Sequence, residues 1–286
     1  MKIIKYFFEF IFIVCFFFIF KIIGYKNATA IGEIIGRKIG PFFRNNSKIQ
    51  KNLETSNIGN SNKEREIIID NMWGNYGRIF AEYMFIKKFR QNNLSKNIEI
   101  IGQNFLDDIR ENNKPVIFIS GHFNNFELMA MHLEKSNIDL AAIYRPLNNI
   151  FLNPIMERIR KKYICKKQIK KGISGTKEIL RYFKSGTSIA LMVDQRVSEG
   201  IACDFFNRKA LTTTIPAQFI KKFNCKVVPI YIERIKLNQF RLEVYKPLEF
   251  SNNESTQTIT THINKNIEEM IKRNPEQWIW SHDRWK

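Results

Sequence analysis

His122 and Glu127 are the residues of this chain best suited to moving a proton. They stand five apart in Gly121-His122-Phe123-Asn124-Asn125-Phe126-Glu127, and on one unbroken helix that spacing would set them about 140° apart at ~100° per residue. A turn must therefore bring them together. Where it does, Glu127 can hold one imidazole nitrogen and leave the other free to accept a proton, the base-and-orienter arrangement of acyl transfer. A His and a Glu also meet near turns with no catalytic role, so the flanking pattern matters. Pro115 to Ser120 is an apolar, β-prone run that breaks at Gly121, and helix formers follow. His122 then sits at the C-terminal end of a strand, where open α/β sheets hold ligands, and the next helix offers its N-terminus to developing negative charge.

Three further stretches gather polar side chains at predicted strand ends. In Tyr144-Arg145-Pro146, Arg145 suits a phosphate or a thioester carrier, or simply caps a strand. In Asp194-Gln195-Arg196, Asp194 can orient a partner or cap a turn. Asp204 to Thr212 sets Phe205 and Phe206 before a basic turn, either as the lining of an acyl slot or as core. His132 and His262 read as structural or exposed.

The elements that must carry these residues alternate beyond residue 97. Candidate strands are 98–102, 115–120, 138–144, 187–193, 226–233 and 239–246; helices fall near 104–112, 125–135, 150–163, 175–184, 211–223 and 256–273. This alternation predicts an α/β fold with a mixed, largely parallel sheet covered by helices. Residues 27 to 90 are helical in pattern. Within them Gly32, Gly36 and Gly40 recur every fourth residue, as in a closely approached helix or a loose loop. Ile67 to Phe89 carry a wide apolar face on a long helix over 63–90, with aromatics that belong in a core.

Residues 3 to 23 are apolar except for Lys5, Glu9 and Lys21. As a helix they would extend roughly 30 Å, the thickness of a hydrocarbon core, yet Phe10 to Phe20 is the longest run without a charge, so spanning and lying in the interface both fit. A cleaved signal peptide is the competing reading, with Ala28-Thr29-Ala30 as its processing site. Lys26, Arg37, Lys38 and Arg44 favour retention, with the bulk of the chain on the cytoplasmic side. The chain thus divides into an N-terminal anchor, 1–25, and one catalytic domain, 26–286.

Lys and Arg number 46 against 27 acids, for a net charge of +19 and a pI near 9.8. That balance calls for an anionic partner, whether a membrane surface, a phosphorylated lipid, an acidic protein or nucleic acid. The four cysteines form no Cys-x-x-Cys pair and no zinc-like cluster with histidine, so no structural metal is expected, and reduced thiols in a cytoplasm-facing domain are the simplest account. There is no Gly-x-Ser-x-Gly elbow and no P-loop, which leaves a serine-hydrolase or kinase reading without its central part.

Taken in order, Gly121 to Glu127, Tyr144-Arg145-Pro146 with Asn153-Pro154, Asp194-Gln195-Arg196 with Gly200, Phe205 to Thr212, Pro229, and Pro275-Glu276-Gln277-Trp278-Ile279-Trp280 resemble the lipid A biosynthesis lauroyl/myristoyl acyltransferase family. The resemblance covers almost the whole chain, anchor included. It implies an inner-membrane enzyme facing the cytoplasm that moves a fatty acyl chain from acyl carrier protein to a hydroxyl of a phosphorylated lipid A precursor, with no metal, nucleotide or other cofactor. The family's His-x4-acid motif maps onto His122 and Glu127. Glu in place of the Asp of glycerolipid acyltransferases favours the lipid A branch. Arg158 and Arg160 lie where the family carries a functional arginine, and Asn207 stands where it often has Gly.

The expected chemistry has His122 as general base oriented by Glu127, with Arg145 and Arg196 as candidates to meet the oxyanion. Arg145, Asp194, Arg196, Arg158 and Arg160 are the expected substrate-binding residues. The C-terminal Trp278, Trp280, His282, Arg284, Trp285 and Lys286 mix aromatics and cations as interface-seating segments do, or else pack on the domain. Two other functions use the same features. A glycerophospholipid or other glycolipid acyltransferase differs in the acceptor, and a non-catalytic basic membrane-anchored binding protein would survive His122→Ala. Nucleic-acid binding is the weakest, because no recognition motif is present.

Overall fold

The computed structural model describes every residue except Met1, Asn92 and Asn252; of the anchor segment 1–25, Met1 thus lies outside the described residues. The strands are β1 (Ile98–Ile101), β2 (Ile117–Ser120), β3 (Leu140–Tyr144), β4 (Lys167–Lys170), β5 (Ser188–Met192), β6 (Ile201–Phe205), β7 (Arg208–Thr212), β8 (Val227–Lys236) and β9 (Gln239–Val244). The helices are α1 (Lys2–Phe43), α2 (Asn46–Thr55), α3 (Asn62–Glu82), α4 (Ile86–Arg90), α5 (Gln103–Asn112), α6 (Glu127–Lys135), α7 (Leu152–Ile159), α8 (Ile173–Lys184), α9 (Ile215–Phe223) and α10 (Thr256–Arg273).

Seven strands form one sheet in the order β1-β9-β8-β2-β5-β3-β4, parallel throughout except for the β8/β9 hairpin. The expected mixed, largely parallel sheet is thus observed. The central strand β2 is buried at every position, as a strand covered on both faces must be, and its run Ile117-Phe118-Ile119 is apolar accordingly.

Some local structure departs from the sequence reading. The edge strand β4 and the separate β6/β7 hairpin lie where no strand was expected. β4 is short and lysine-bounded, the composition that blunts an edge and also hides it in a hydrophobicity pattern. The helix expected from 211 starts at Ile215 instead: Leu211 and Thr212 belong to β7, and Pro216 occupies the first turn, where its missing N–H costs nothing. The long helix over 63–90 ends at Glu82 and resumes, after a short 3₁₀ turn, as α4.

The α1 helix is one apolar segment joined to a packed one. At Gly24 the backbone takes φ 81°, ψ 167°, a conformation open to glycine but strained for other residues, and the axis kinks there. Beyond the kink α1 runs against α3 at a separation only glycine permits. A Cβ on Gly36 would stand 2.1 Å from the Trp73 carbonyl oxygen, and one on Gly77 would stand 1.8 Å from that of Gly32. The four-residue glycine spacing is therefore a close helix crossing and not a loop.

Candidate active site

Parallel pairing of β2 with β5 sets Ser120 opposite Met192. Each chain continues two residues past that pair, and the residues reached are His122 and Asp194. They meet at the C-terminal edge of the sheet. The imidazole Nδ1 lies 2.8 Å from Asp194 Oδ1, and the His122 backbone N–H donates to Asp194 Oδ2 at 2.7 Å. Trp278 Nε1 donates to the same Oδ2 at 2.8 Å. A Cβ on Gly121 would stand 3.2 Å from that oxygen and 2.8 Å from the Phe123 ring, so the glycine keeps the approach open.

Asp194 is fully buried, and His122 is 22% exposed. Burial alone would raise the carboxyl pKa. The charge of His122, the hydrogen bonds from its ring and backbone, and the Trp278 indole outweigh burial and hold it down at about 2. A carboxylate that stays ionised in the core fixes Nδ1 as the protonated ring nitrogen, which leaves Nε2 as the basic one. The Phe126 ring stands edge-on to the imidazole at 5.1 Å.

The orienter expected for His122 was Glu127, and here the structure corrects the sequence reading. Glu127 begins α6, and its Oε1 accepts from Arg160 Nε at 2.7 Å and Nη2 at 2.6 Å. The turn between the two residues explains the separation. Asn124 adopts φ 40°, its side chain donates to Asn75 Oδ1 and Gln277 Oε1, and its N–H donates to the Gln277 carbonyl. Asn125 donates to the buried Glu82. Pinned in this way, the loop sends His122 toward β5 and Glu127 toward the end of α7.

Arg160 is buried along most of its length and stacks its guanidinium 5.6 Å from the Tyr144 ring centre. Burial would lower its pKa, but the Glu127 carboxylate more than reverses this. Tyr144, the last residue of β3, donates to Glu157 at 2.7 Å. The C-terminal edges of β2, β5 and β3 thus carry a His122–Asp194 pair and, one residue beyond Phe126, a Glu127–Arg160 pair.

The remaining expected site residues divide. Arg145 and Arg158 are exposed and stand outside these pairs. Arg196 is turned toward the C-terminal tail: Nε donates to the Lys286 carbonyl at 2.9 Å and Nη1 to Ser198, while its backbone N–H donates to His282 Nε2. Its side chain is tied to the tail and to Ser198. Phe205 and Phe206 are core, packed against Trp278, Trp280 and Trp285. Asn207 takes φ 58° in the β6/β7 turn, a left-handed conformation that asparagine tolerates without a glycine.

Of the two readings left open for the tail, packing on the domain is the one observed: Trp278, Trp280 and Arg284 are all buried, and Arg284 donates to the Leu211 carbonyl and Thr212. Sequence reasoning missed two contributions, the support of Asp194 by this tail and a buried ion pair under the Asn124-Asn125 turn. Burial pulls the Arg284 pKa down to about 10. The tail is the inner support of Asp194. The ionic pair Glu82–Arg234, 2.7 Å apart and almost fully buried, supports the Asn124-Asn125 turn from beneath, with Arg234 also reaching Asn124. Neither has a local signal, since their partners are distant in the chain. His132 is structural as expected, with Nε2 against Gln103 and its pKa lowered to about 4 by burial.

Comparison with known proteins gives the family of the chain. The family model for bacterial lipid A biosynthesis acyltransferases matches residues 1–286. The chain is 25% identical over 256 residues to the lipid A biosynthesis acyltransferase 2 of Shigella flexneri, covering 86% of this chain and 79% of the relative. It is 24% identical over 268 residues to the lipid A biosynthesis palmitoleoyltransferase of Escherichia coli K12 (92% and 86%), and 22% over 255 residues to the myristoyltransferase of the same organism (87% and 77%). With a match that runs the length of the chain and takes in the apolar N-terminal helix, the sheet and the supporting tail alike, this protein belongs to the bacterial lipid A biosynthesis acyltransferase family.

Proposed function

We propose that this protein transfers a fatty acyl chain from an acyl carrier protein thioester to a hydroxyl of a phosphorylated lipid A precursor, at the cytoplasmic side of the inner membrane, with His122 as general base. The observation that carries the reading is the buried Asp194 on Nδ1 of a partly exposed imidazole. Nε2 takes the proton of the acceptor hydroxyl as its oxygen attacks the thioester carbonyl. The tetrahedral intermediate collapses with cleavage of the C–S bond, and the imidazolium returns the proton to the departing thiolate. Asp194 orients the ring and stabilises its charged form, the part first assigned to Glu127.

Glu127 acts through Arg160. The carboxylate fixes a guanidinium that would otherwise be buried without an anionic partner, and so places one cation at the edge of the site. Arg145 and Arg158, both exposed, suit an acidic carrier or the phosphates of the acceptor. The net charge of +19 supports an anionic donor, acceptor and leaflet together. No step draws on a metal or cofactor.

The test is mass spectrometry of products after incubating the membrane-bound protein with acyl carrier protein thioesters and a tetra-acylated precursor. A gain of one acyl group, lost in His122→Ala and in Asp194→Asn, is the expected result. Acylation of a lysophospholipid instead would move the protein to a glycerolipid acceptor, and transfer to no acceptor would leave a binding protein.

A further inference from the structure

We infer that residues 2–23 of α1 lie along the bilayer surface on the same side as the catalytic domain and do not cross it, with Leu147, Ile150 and Ile155 sunk into the same lipid interface. This rests on the reading that the apolar N-terminal helix meets a membrane. Both ends of the helix are fastened to the domain. Near its start Asn149, itself buried, donates to the Tyr6 carbonyl at 2.8 Å and to Glu9 at 3.3 Å, and Phe151 packs against Phe7 and Phe10 with ring centres 5.7 and 5.9 Å away. Near its end Phe17 and Phe20 pack on Phe80 at 5.0 and 5.9 Å, and Phe20 is fully buried.

From Tyr6 to Phe20 a helix advances about 21 Å at ~1.5 Å per residue. If it ran along the membrane normal, the Asn149 loop would be carried most of the way through a ~30 Å hydrocarbon core. Arg145 and Arg158 are exposed on that loop and on α7, and a charge carried into the centre of a bilayer is strongly disfavoured. A helix lying flat removes the conflict. Its outer face, with Ile4, Phe8, Phe12, Phe18 and Ile22 exposed, enters lipid, and its inner face stays on the domain.

The loop lies against that helix. Leu147 is 38%, Ile150 55% and Ile155 41% exposed, beside a helix already held by Asn149 and Phe151. Exposed apolar residues continuous with an apolar helix mark a membrane contact, and Arg145, Arg158, Lys161 and Lys162 beside them are exposed cations suited to anionic headgroups. The kink at Gly24 lets the flat arm turn into the segment packed on α3. Tyr144 and Arg160 stand at the two ends of the Arg145–Ile159 stretch, so the lipid contact adjoins the site, where an acyl chain and a lipid acceptor must enter.

Two measurements on the full-length protein in a Cys15→Ser, Cys225→Ser background test this. Lys2→Cys and Glu249→Cys are labelled separately with a membrane-impermeant maleimide in spheroplasts and in inverted membrane vesicles. Both should label in the same preparation, and labelling of the two from opposite sides would overturn the proposal. A nitroxide on Ile150→Cys in phosphatidylethanolamine/phosphatidylglycerol vesicles should favour oxygen over a nickel complex as collision partner several-fold more than one on Glu249→Cys; equal ratios would overturn the immersion of the loop. Neither readout needs turnover, so both positive with no acyl transfer would count against the proposed reaction alone.

Discussion

At Asp194 three donors converge on one carboxylate: the His122 ring, the His122 backbone and the Trp278 indole. Replacing it with asparagine keeps the shape but offers an amide that can donate to Nδ1, which favours the wrong tautomer for a base at Nε2. Asp194→Asn should lower kcat by about 10²–10⁴ in protein that remains folded. Glu127 belongs to a different unit. Its loss should be strongly non-additive with that of Arg160, because each leaves the other's buried charge unpaired, and close to additive with Asp194→Asn. Turnover of the single and double variants checks this, and strong coupling of Glu127 to Asp194, with none to Arg160, would return the orienting role to Glu127. The sequence exposed His122 and Asp194 as polar residues at strand ends and paired His122 with Glu127, its near neighbour in the chain. It did not pair His122 with Asp194, because that pairing depends on which strands are neighbours.

Between elements, the α1/α3 crossing depends on backbone contact at glycine. Gly36→Ala drives a methyl into the Trp73 carbonyl, which must move the helices apart. The expected cost is about 1–3 kcal/mol, seen as a lowered Tm in detergent micelles, with Ile34→Ala on an exposed position of the same helix as a control within about 0.5 kcal/mol. An equal Tm for the two variants would mean that the crossing is loose. The glycine period was visible in the sequence. Its meaning was not, since a helix and a loop share it until the partner surface around Trp73 and Gly77 is known. The β6/β7 hairpin shows the reverse. Phe206 and Asn207 both take positive φ, and Phe at such a position gives no turn signal.

For the whole molecule, charge governs encounter. With a net charge of +19, attraction to the acidic carrier of the proposed reaction should fall as salt shortens the Debye length from ~10 Å at 0.1 M to ~3 Å at 1 M. With the lipid precursor saturating, KM for the acyl carrier protein thioester should rise with sodium chloride while kcat holds; a KM flat across that range would remove the carrier from the basic surface.

The sequence by itself determined the alternation of strands and helices, the apolar N-terminal helix, the basic balance and the motif around His122, because each is written in neighbouring residues whose period, polarity or charge acts locally. The tertiary structure decided which acid holds the imidazole, that Trp278 and Arg284 are buried inner supports, and that both ends of the apolar N-terminal segment pack on the rest of the chain. The physical reason is the same in each case. Asp194 is 72 residues from His122, and Trp278 is 84 residues from Asp194; only the parallel register of β2 with β5 and the burial of the tail convert those separations into hydrogen bonds of 2.8 Å.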